Sequence, residues 1–319
     1  MIVVIALGGN ALMRRGEPAD AAVQRANVAL AAESIAKVAR DHQVVVTHGN
    51  GPQVGLLALQ TAAMESVSPY PLDVLGAESE GMIGYMIEQE LSGRIADRRV
   101  ATLLTQVVVD RDDPAFATPT KPIGPVYPES EARRIADERG WAMAPDESGF
   151  RRVVPSPLPR SIVEIETIRV LIEAGVIVVC AGGGGVPVVI TEDGAIRGVE
   201  AVIDKDRSAA LLADEVGADA LLILTDVPAV YTGWGTPDAQ AVRTGAPDAF
   251  RGYAFAEGSM GPKVESACTF VEAGGTMAGI GALPDALAIL HGDAGTTIHA
   301  DGGDIEWYAT DPAPRVSTD

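Results

Sequence analysis

The chain has 319 residues, 47% hydrophobic and 21% charged, a length that suits one large domain or two lobes and a composition that excludes disordered or collagen-like structure. Its 24 Lys and Arg face 44 Asp and Glu, a formal net charge of -20, so the long-range field repels nucleic-acid backbones and anionic lipid headgroups, and neither is expected as a partner. The same field opposes a small anionic substrate, which would need its own concentration of cations.

Ile2 to Leu7 is an apolar, β-branched run ending in Gly8-Gly9. It reads as a buried strand and turn, with neither the basic start nor the cleavage site of a signal peptide. Helical periodicity follows over 19–40, then a strand at Val44 to Thr47 that ends in His48-Gly49-Asn50-Gly51-Pro52. Helices are expected near 53–64 and 73–97, a strand near 101–109, a helix near 161–174, and a strand from Val176 to Cys180 that runs into four glycines, Gly182 to Gly185. A helix over 207–216, a strand over 221–225, and strands near 276–281 and 295–299 complete the pattern. Strands alternating with helices, with glycine loops at strand ends, predict an open α/β sheet that binds ligands at those ends.

Three segments depart from that texture. Residues 110–159 hold 9 of the 21 prolines and one helical stretch near 129–139, which predicts an inserted subdomain over about 111–159. The segment 232–246 reads as a surface loop, and 302–319 as an acidic tail. Cys180 and Cys268 have no CxxC spacing and are too few for a disulfide framework, so a reducing, cytoplasmic setting is expected. No apolar run approaches membrane-spanning length.

Of the 24 cations 20 are Arg, which makes the four lysines informative. Lys37 fits a solvated helix face. Lys121, Lys205 and Lys263 instead sit among helix-breaking residues, where a compact ammonium on a flexible stem can reach a phosphoryl oxygen as a point charge. Asp204-Lys205-Asp206 opens a helix, with Asp204 or Asp206 near the N-cap and a carboxylate available to orient the ammonium. Gly8-Gly9-Asn10 and Gly49-Asn50-Gly51 repeat one arrangement on successive strands, where backbone N–H groups can face an anion across a crevice. His48 reads as a structural residue closing its strand. Thr225-Asp226-Val227 ends a buried strand and Tyr231 follows, a turn that could wall a flat-ring pocket. The four-glycine run lacks GxGxxG spacing, no GxxxxGK[ST] occurs, and no His/Cys cluster has metal-ligand spacing.

Taken in order, Ala6 to Leu12, Thr47 to Gly55, Lys121 to Pro125, Gly182 to Pro187, Gly198 to Asp206, Leu224 to Val227 and Gly258 to Lys263 together resemble the carbamate kinase branch of the amino acid kinase family, over residues 1–301. The resemblance implies a three-layer α/β/α sandwich with a mainly parallel open sheet and a small protruding subdomain. It implies an acid-substrate lobe over about 1–185, a nucleotide lobe over about 186–301, and a homodimer. It further implies reversible phosphoryl transfer between ATP and carbamate, run from carbamoyl phosphate and MgADP, with Mg2+ bound along with the nucleotide and a place in arginine metabolism. Gly8, Gly9 and Asn10 would hold the transferred phosphoryl, and Gly49, Asn50 and Gly51 the carbamate. Lys121 would act from the subdomain, and Lys205 and Lys263 from the nucleotide side, with Asp204 orienting the lysines. Thr225, Asp226, Val227, Tyr231, Met260 and Lys263 would line the nucleotide site, and no protein ligand for a metal is expected. Leu158 stands where relatives often carry Lys. The alternatives are a kinase of another small carboxylate and a non-catalytic nucleotide or carbamoyl phosphate sensor.

Overall fold

The structure, a computed structural model, describes residues 1–13, 20–63, 68–146, 149–256 and 258–310; the side chains of Asn10 and Ala11 also lie outside the described set. Strand Ile2–Leu7 is fully buried from Val3 to Leu7 because it runs through the middle of a ten-stranded sheet. It pairs in parallel with Gln43–His48 on one side and Ala220–Thr225 on the other. Beyond Gln43–His48 come Ile177–Val179 and Val100–Thr102, again parallel. Beyond Ala220–Thr225 come Met277–Ala282, Thr296–Ile298, Gln240–Gly245 and Val230–Thr232, where antiparallel pairs enter.

Alternate side chains of the first strand enter different layers, as a period-two backbone requires. Val3, Ile5 and Leu7 join a cluster with Val28 and Ile35 of helix Ala21–Ala39 and Ile83 and Ile87 of helix Leu72–Arg94. Val4 and Ala6 join a cluster with Ala209 and Leu212 of helix Lys205–Glu215 and Ala267 and Phe270 of helix Met260–Glu272. Helices therefore cover both faces, which is why the central strands read as unbroken apolar runs. This is the expected three-layer α/β/α sandwich with a mainly parallel sheet.

Four expected elements differ in detail. The single strand near 101–109 is two strands, Val100–Thr102 in the central sheet and Gln106–Val109 in a second, four-stranded sheet with Pro159–Ile162, Val186–Ile190 and Ile196–Gly198. Thr105 turns the chain between them, its buried hydroxyl donating to Leu103 O at 2.9 Å. The helix near 161–174 begins only at Ile165, because Pro159–Ile162 pairs antiparallel with Gln106–Val109. The segment 232–246, expected as a loop, contributes strand Gln240–Gly245. The segment 302–319, expected as a tail, opens with strand Glu306–Trp307 paired to Gln240–Gly245; Ile305 packs on the core beside it, and residues 311–319 lie outside the described set.

Val109 and Pro159 are partners in the second sheet, and the chain between them makes an excursion. It contains a three-stranded antiparallel sheet, Lys121–Tyr127, Gly149–Val154 and Met143–Asp146, with helix Glu129–Arg139 alongside. The excursion is seated on helix Gly51–Ala62 at a point where two backbones touch. A β-carbon at Gly55 would lie 2.0 Å from Gly124 Cα, and Gly124 has φ of +73°. Close approach thus requires glycine at position 55, and the left-handed backbone favours it at position 124.

Candidate active site

The glycine loops lie at the C-terminal ends of the parallel strands, where open α/β sheets bind ligands. Gly8 N–H donates to Leu224 O at 2.9 Å and Gly49 N–H to Leu7 O at 3.0 Å. A β-carbon at Gly49 would come within 2.9 Å of Gly9 N, so these two loops touch at Gly9 and Gly49 where a crevice was expected. Gly51 and Pro52 start helix Gly51–Ala62, with Asn50 at its N-cap position. Asn50 does not cap through its side chain; its Nδ2 donates to Ser79 Oγ at 2.8 Å. Asn10 has its backbone in the short helix Gly9–Leu12, and its side chain lies outside the described set.

Gly182 to Gly185 folds over the Gly49–Gly51 loop, and its neighbours explain its composition. A β-carbon would lie 2.4 Å from the His48 ring at Gly182, 2.0 Å from Asn50 Nδ2 at Gly183 and 2.6 Å from Ile203 O at Gly184. Gly183, Gly184 and Gly185 also have positive φ. His48 itself is buried, and desolvation brings its pKa down to about 4 against a bond to Gly49 O. A neutral, packed imidazole matches the structural reading of this residue.

The lysines meet at the start of helix Lys205–Glu215. Asp204 Oδ1 caps that helix by accepting from Asp206 N at 2.9 Å and Arg207 N at 3.3 Å, while its Oδ2 accepts from Lys121 Nζ of the excursion at 2.5 Å. Asp206 pairs through Oδ1 with Lys205 Nζ at 2.5 Å and through Oδ2 with Lys263 Nζ at 3.0 Å. Three ammoniums from three separate elements are therefore held by two aspartates. Burial alone would raise the Asp206 pKa, but Lys205 and Lys263 override it and hold the carboxyl well below its ordinary range. Asp204 behaves likewise beside Lys121. Burial lowers the Lys205 pKa, and Asp206 opposes it. The buried Lys205 Nζ has its ion pair but no well-aligned hydrogen bond, which leaves its donors available to another acceptor.

Thr225 ends the strand next to Ile2–Leu7, with Asp226 and Val227 following it, and Thr225 Cα lies 3.8 Å from where a Gly8 β-carbon would be. Thr225 Oγ1 donates to Asp226 Oδ1 at 3.1 Å. Met260 opens the helix that carries Lys263 one turn later. Tyr231 is largely buried with Ala229, Ala241 and Tyr308, and meets the Trp234 ring edge-on at 5.1 Å. Leu158 is exposed, its N–H donating to Asp113 Oδ2 at 2.9 Å.

Sequence reasoning passed over three residues of this region. Asp206, expected as a helix cap or as a carboxylate orienting one ammonium, bridges two lysines. Ser79 and Glu80 lie behind the glycine loops, and Glu80 accepts from Gly182 N at 2.9 Å and Thr105 N at 3.2 Å. Their signal is positional: they interrupt the stripe of buried apolar residues Leu72, Leu75, Ile83, Ile87 and Leu91 on one helix.

The fold and the strand-end glycine loops define an open-sheet α/β protein with its ligand site at the strand C-termini, and a sequence profile of the amino acid kinase family matches residues 1–280. The chain belongs to that family. It is 54% identical over 310 residues to a carbamate kinase of Haemophilus influenzae, covering 97% of this chain and 100% of that one. It is 52% identical over 317 residues to a carbamate kinase of Rhizobium meliloti, covering 98% of each. The carbamate kinase of Giardia lamblia bound to AMP-PNP superposes with a TM-score of 0.85 at 42% identity, over 93% of this chain and 98% of that one.

Proposed function

We propose that this chain is a carbamate kinase, a phosphotransferase that moves a phosphoryl group reversibly between ATP and carbamate and works toward ATP from carbamoyl phosphate and MgADP. The observation that carries the reading is the convergence of Lys121, Lys205 and Lys263 on Asp204 and Asp206 beside the glycine loops.

Phosphoryl transfer is mostly positioning and charge stabilisation, and it asks for no protein nucleophile. Gly9 and Asn10 would direct N–H donors at the transferred phosphoryl group, with Gly8, whose own N–H is bonded to Leu224 O, shaping the turn beside it, and Gly49, Asn50 and Gly51 would receive the carbamate. Lys205 and Lys263 would neutralise charge from the nucleotide side and Lys121 from the excursion, over about 111–159. Asp206 and Asp204 keep the ammoniums from splaying apart under mutual repulsion. In this reading residues 1–185 form the acid-substrate lobe and 186–301 the nucleotide lobe, with Thr225, Asp226, Val227, Tyr231 and Met260 on the nucleotide wall. Asp204 and Asp206 are both engaged by ammoniums, a donor set that suits Mg2+ carried on nucleotide oxygens and water. Bound that way, the ion supplies neutralisation of phosphate charge.

A homodimer is supported by exposed Val74, Met82 and Tyr85 on helix Leu72–Arg94 and by the exposed cross-strand pair Ile190 and Ile196. A reducing cytoplasm is supported by two buried, unpaired cysteines; no described helix is long and apolar enough to cross a membrane.

The test is ATP formation from carbamoyl phosphate and MgADP by the full chain, with Lys205→Ala as control. Removing one stabilising cation is expected to lower turnover by roughly 10²-fold or more with the fold retained. No ATP above that control, from folded protein that binds ADP, would transfer the reading to another carboxylate or to a sensor.

A further inference from the structure

Two consecutive polar side chains in the buried face of helix Leu72–Arg94 have no part in the transfer chemistry. Ser79 and Glu80 are 0% and 1% exposed. A buried hydroxyl and a buried carboxyl each cost stability unless their hydrogen bonds are satisfied. Both are satisfied by groups of the candidate site. Ser79 Oγ accepts from Asn50 Nδ2 at 2.8 Å and donates to Gly76 O at 2.8 Å. The second bond fixes the hydroxyl proton on the helix backbone, so the oxygen lone pairs face Asn50 and hold its amide in one rotamer. Glu80 Oε1 accepts from Gly182 N and Oε2 from Thr105 N, which ties the start of the four-glycine loop to the turn between the two sheets. Thr105 Oγ1 accepts from Ala181 N at 3.0 Å and braces the same point. The loop then lies against Asn50 at Gly183. The Asn50 amide is clamped between a serine below and a glycine loop above, and adjacent residues of one helix hold both jaws.

We infer that Ser79 and Glu80 are positioning residues for the acid substrate, Ser79 acting through the Asn50 amide and Glu80 through the Gly182–Gly185 loop. The inference rests on the reading of Gly49, Asn50 and Gly51 as the acid-substrate contact, and neither side chain needs to touch substrate itself. A rigid helix supporting loops from behind is a means of holding a binding geometry within tenths of an ångström.

The experiment is a steady-state analysis of the full chain in the direction of ATP formation, with KM for carbamoyl phosphate and for MgADP measured separately. Ser79→Ala removes only a hydroxyl. Glu80→Gln keeps the shape of the side chain but turns an NH2 group toward one of the two N–H donors. Each is expected to raise KM for carbamoyl phosphate by about three- to tenfold, the range of one hydrogen bond, and to leave KM for MgADP unchanged. Loss of fold alone would instead lower the apparent kcat and leave both KM values in place. Because Ser79 acts through Asn50, Ser79→Ala should add nothing further in an Asn50→Ala background. If Asn50→Ala raises KM for carbamoyl phosphate but Ser79→Ala and Glu80→Gln leave it unchanged, the inference is overturned and the site reading stands. If Asn50→Ala itself leaves that KM unchanged, the site reading falls and the inference falls with it.

Discussion

Asp206 shows how one side chain organises the site. Its two oxygens face two different ammoniums, and without it Lys205 and Lys263 would be like charges at a buried helix start. Single residues also set the response to pH. His48, at about 4 when folded against an ordinary 6.5, favours the folded state fully above 6.5 and loses that contribution as pH falls toward 4. Glu80 has the opposite sign: burial pushes its pKa up to about 8 from an ordinary 4.5, against its two backbone hydrogen bonds, so its contribution is full below 4.5 and is lost as pH rises toward 8. Between 4.5 and 6.5 the two oppose one another, and from 6.5 to 8 Glu80 acts without His48. Stability should therefore fall by on the order of 2 kcal/mol between pH 6.5 and 8.5, and Glu80→Gln should flatten that fall. Urea unfolding at the two pH values measures it, and a wild-type midpoint that does not move would show that Glu80 ionises normally.

At the scale of elements, the question is how a lysine carried on an excursion reaches a helix start in another part of the sheet. The answer is the contact of helix Gly51–Ala62 with strand Lys121–Tyr127 at Gly55 and Gly124, three residues from Lys121. No side chain fits at Gly55. Gly55→Ala is expected to push the strand away, weaken the Lys121 to Asp204 pair and raise KM for carbamoyl phosphate by about tenfold, with kcat for the remaining chemistry less affected. An alanine variant with wild-type KM would show that the excursion reaches the site independently of this seat. The placement of Lys121 was legible in the sequence only as a lysine among prolines; the seat was not, because a glycine in a helix and a glycine in a strand gave no sign that they meet. The strand break at Leu103 to Thr105 was hidden for a similar reason, since apolar residues on both sides suit either sheet.

At the scale of the molecule, a field from a net charge of -20 is answered locally by three lysines held at one point. The exposed apolar side chains on helix Leu72–Arg94 and on the second sheet lead to one more expectation. Sedimentation at micromolar concentration should give twice the mass of one chain, and a monomer at that concentration would refute the dimer. The layered α/β architecture was legible in the order of residues, because buried parallel strands must be apolar throughout and amphipathic helices must cover them. The same order of residues singled out the three lysines, since arginine fills nearly every other cationic position, and the glycine loops, since strand ends there break into glycine. Which groups meet is set by how the elements pack. Asp206 between two lysines, Ser79 beneath Asn50, Glu80 on Gly182 and the strand at Glu306–Trp307 all join residues distant in sequence, and such pairings leave no periodicity to read. They follow from the packing of whole elements, which places side chains together by geometry that no local pattern records.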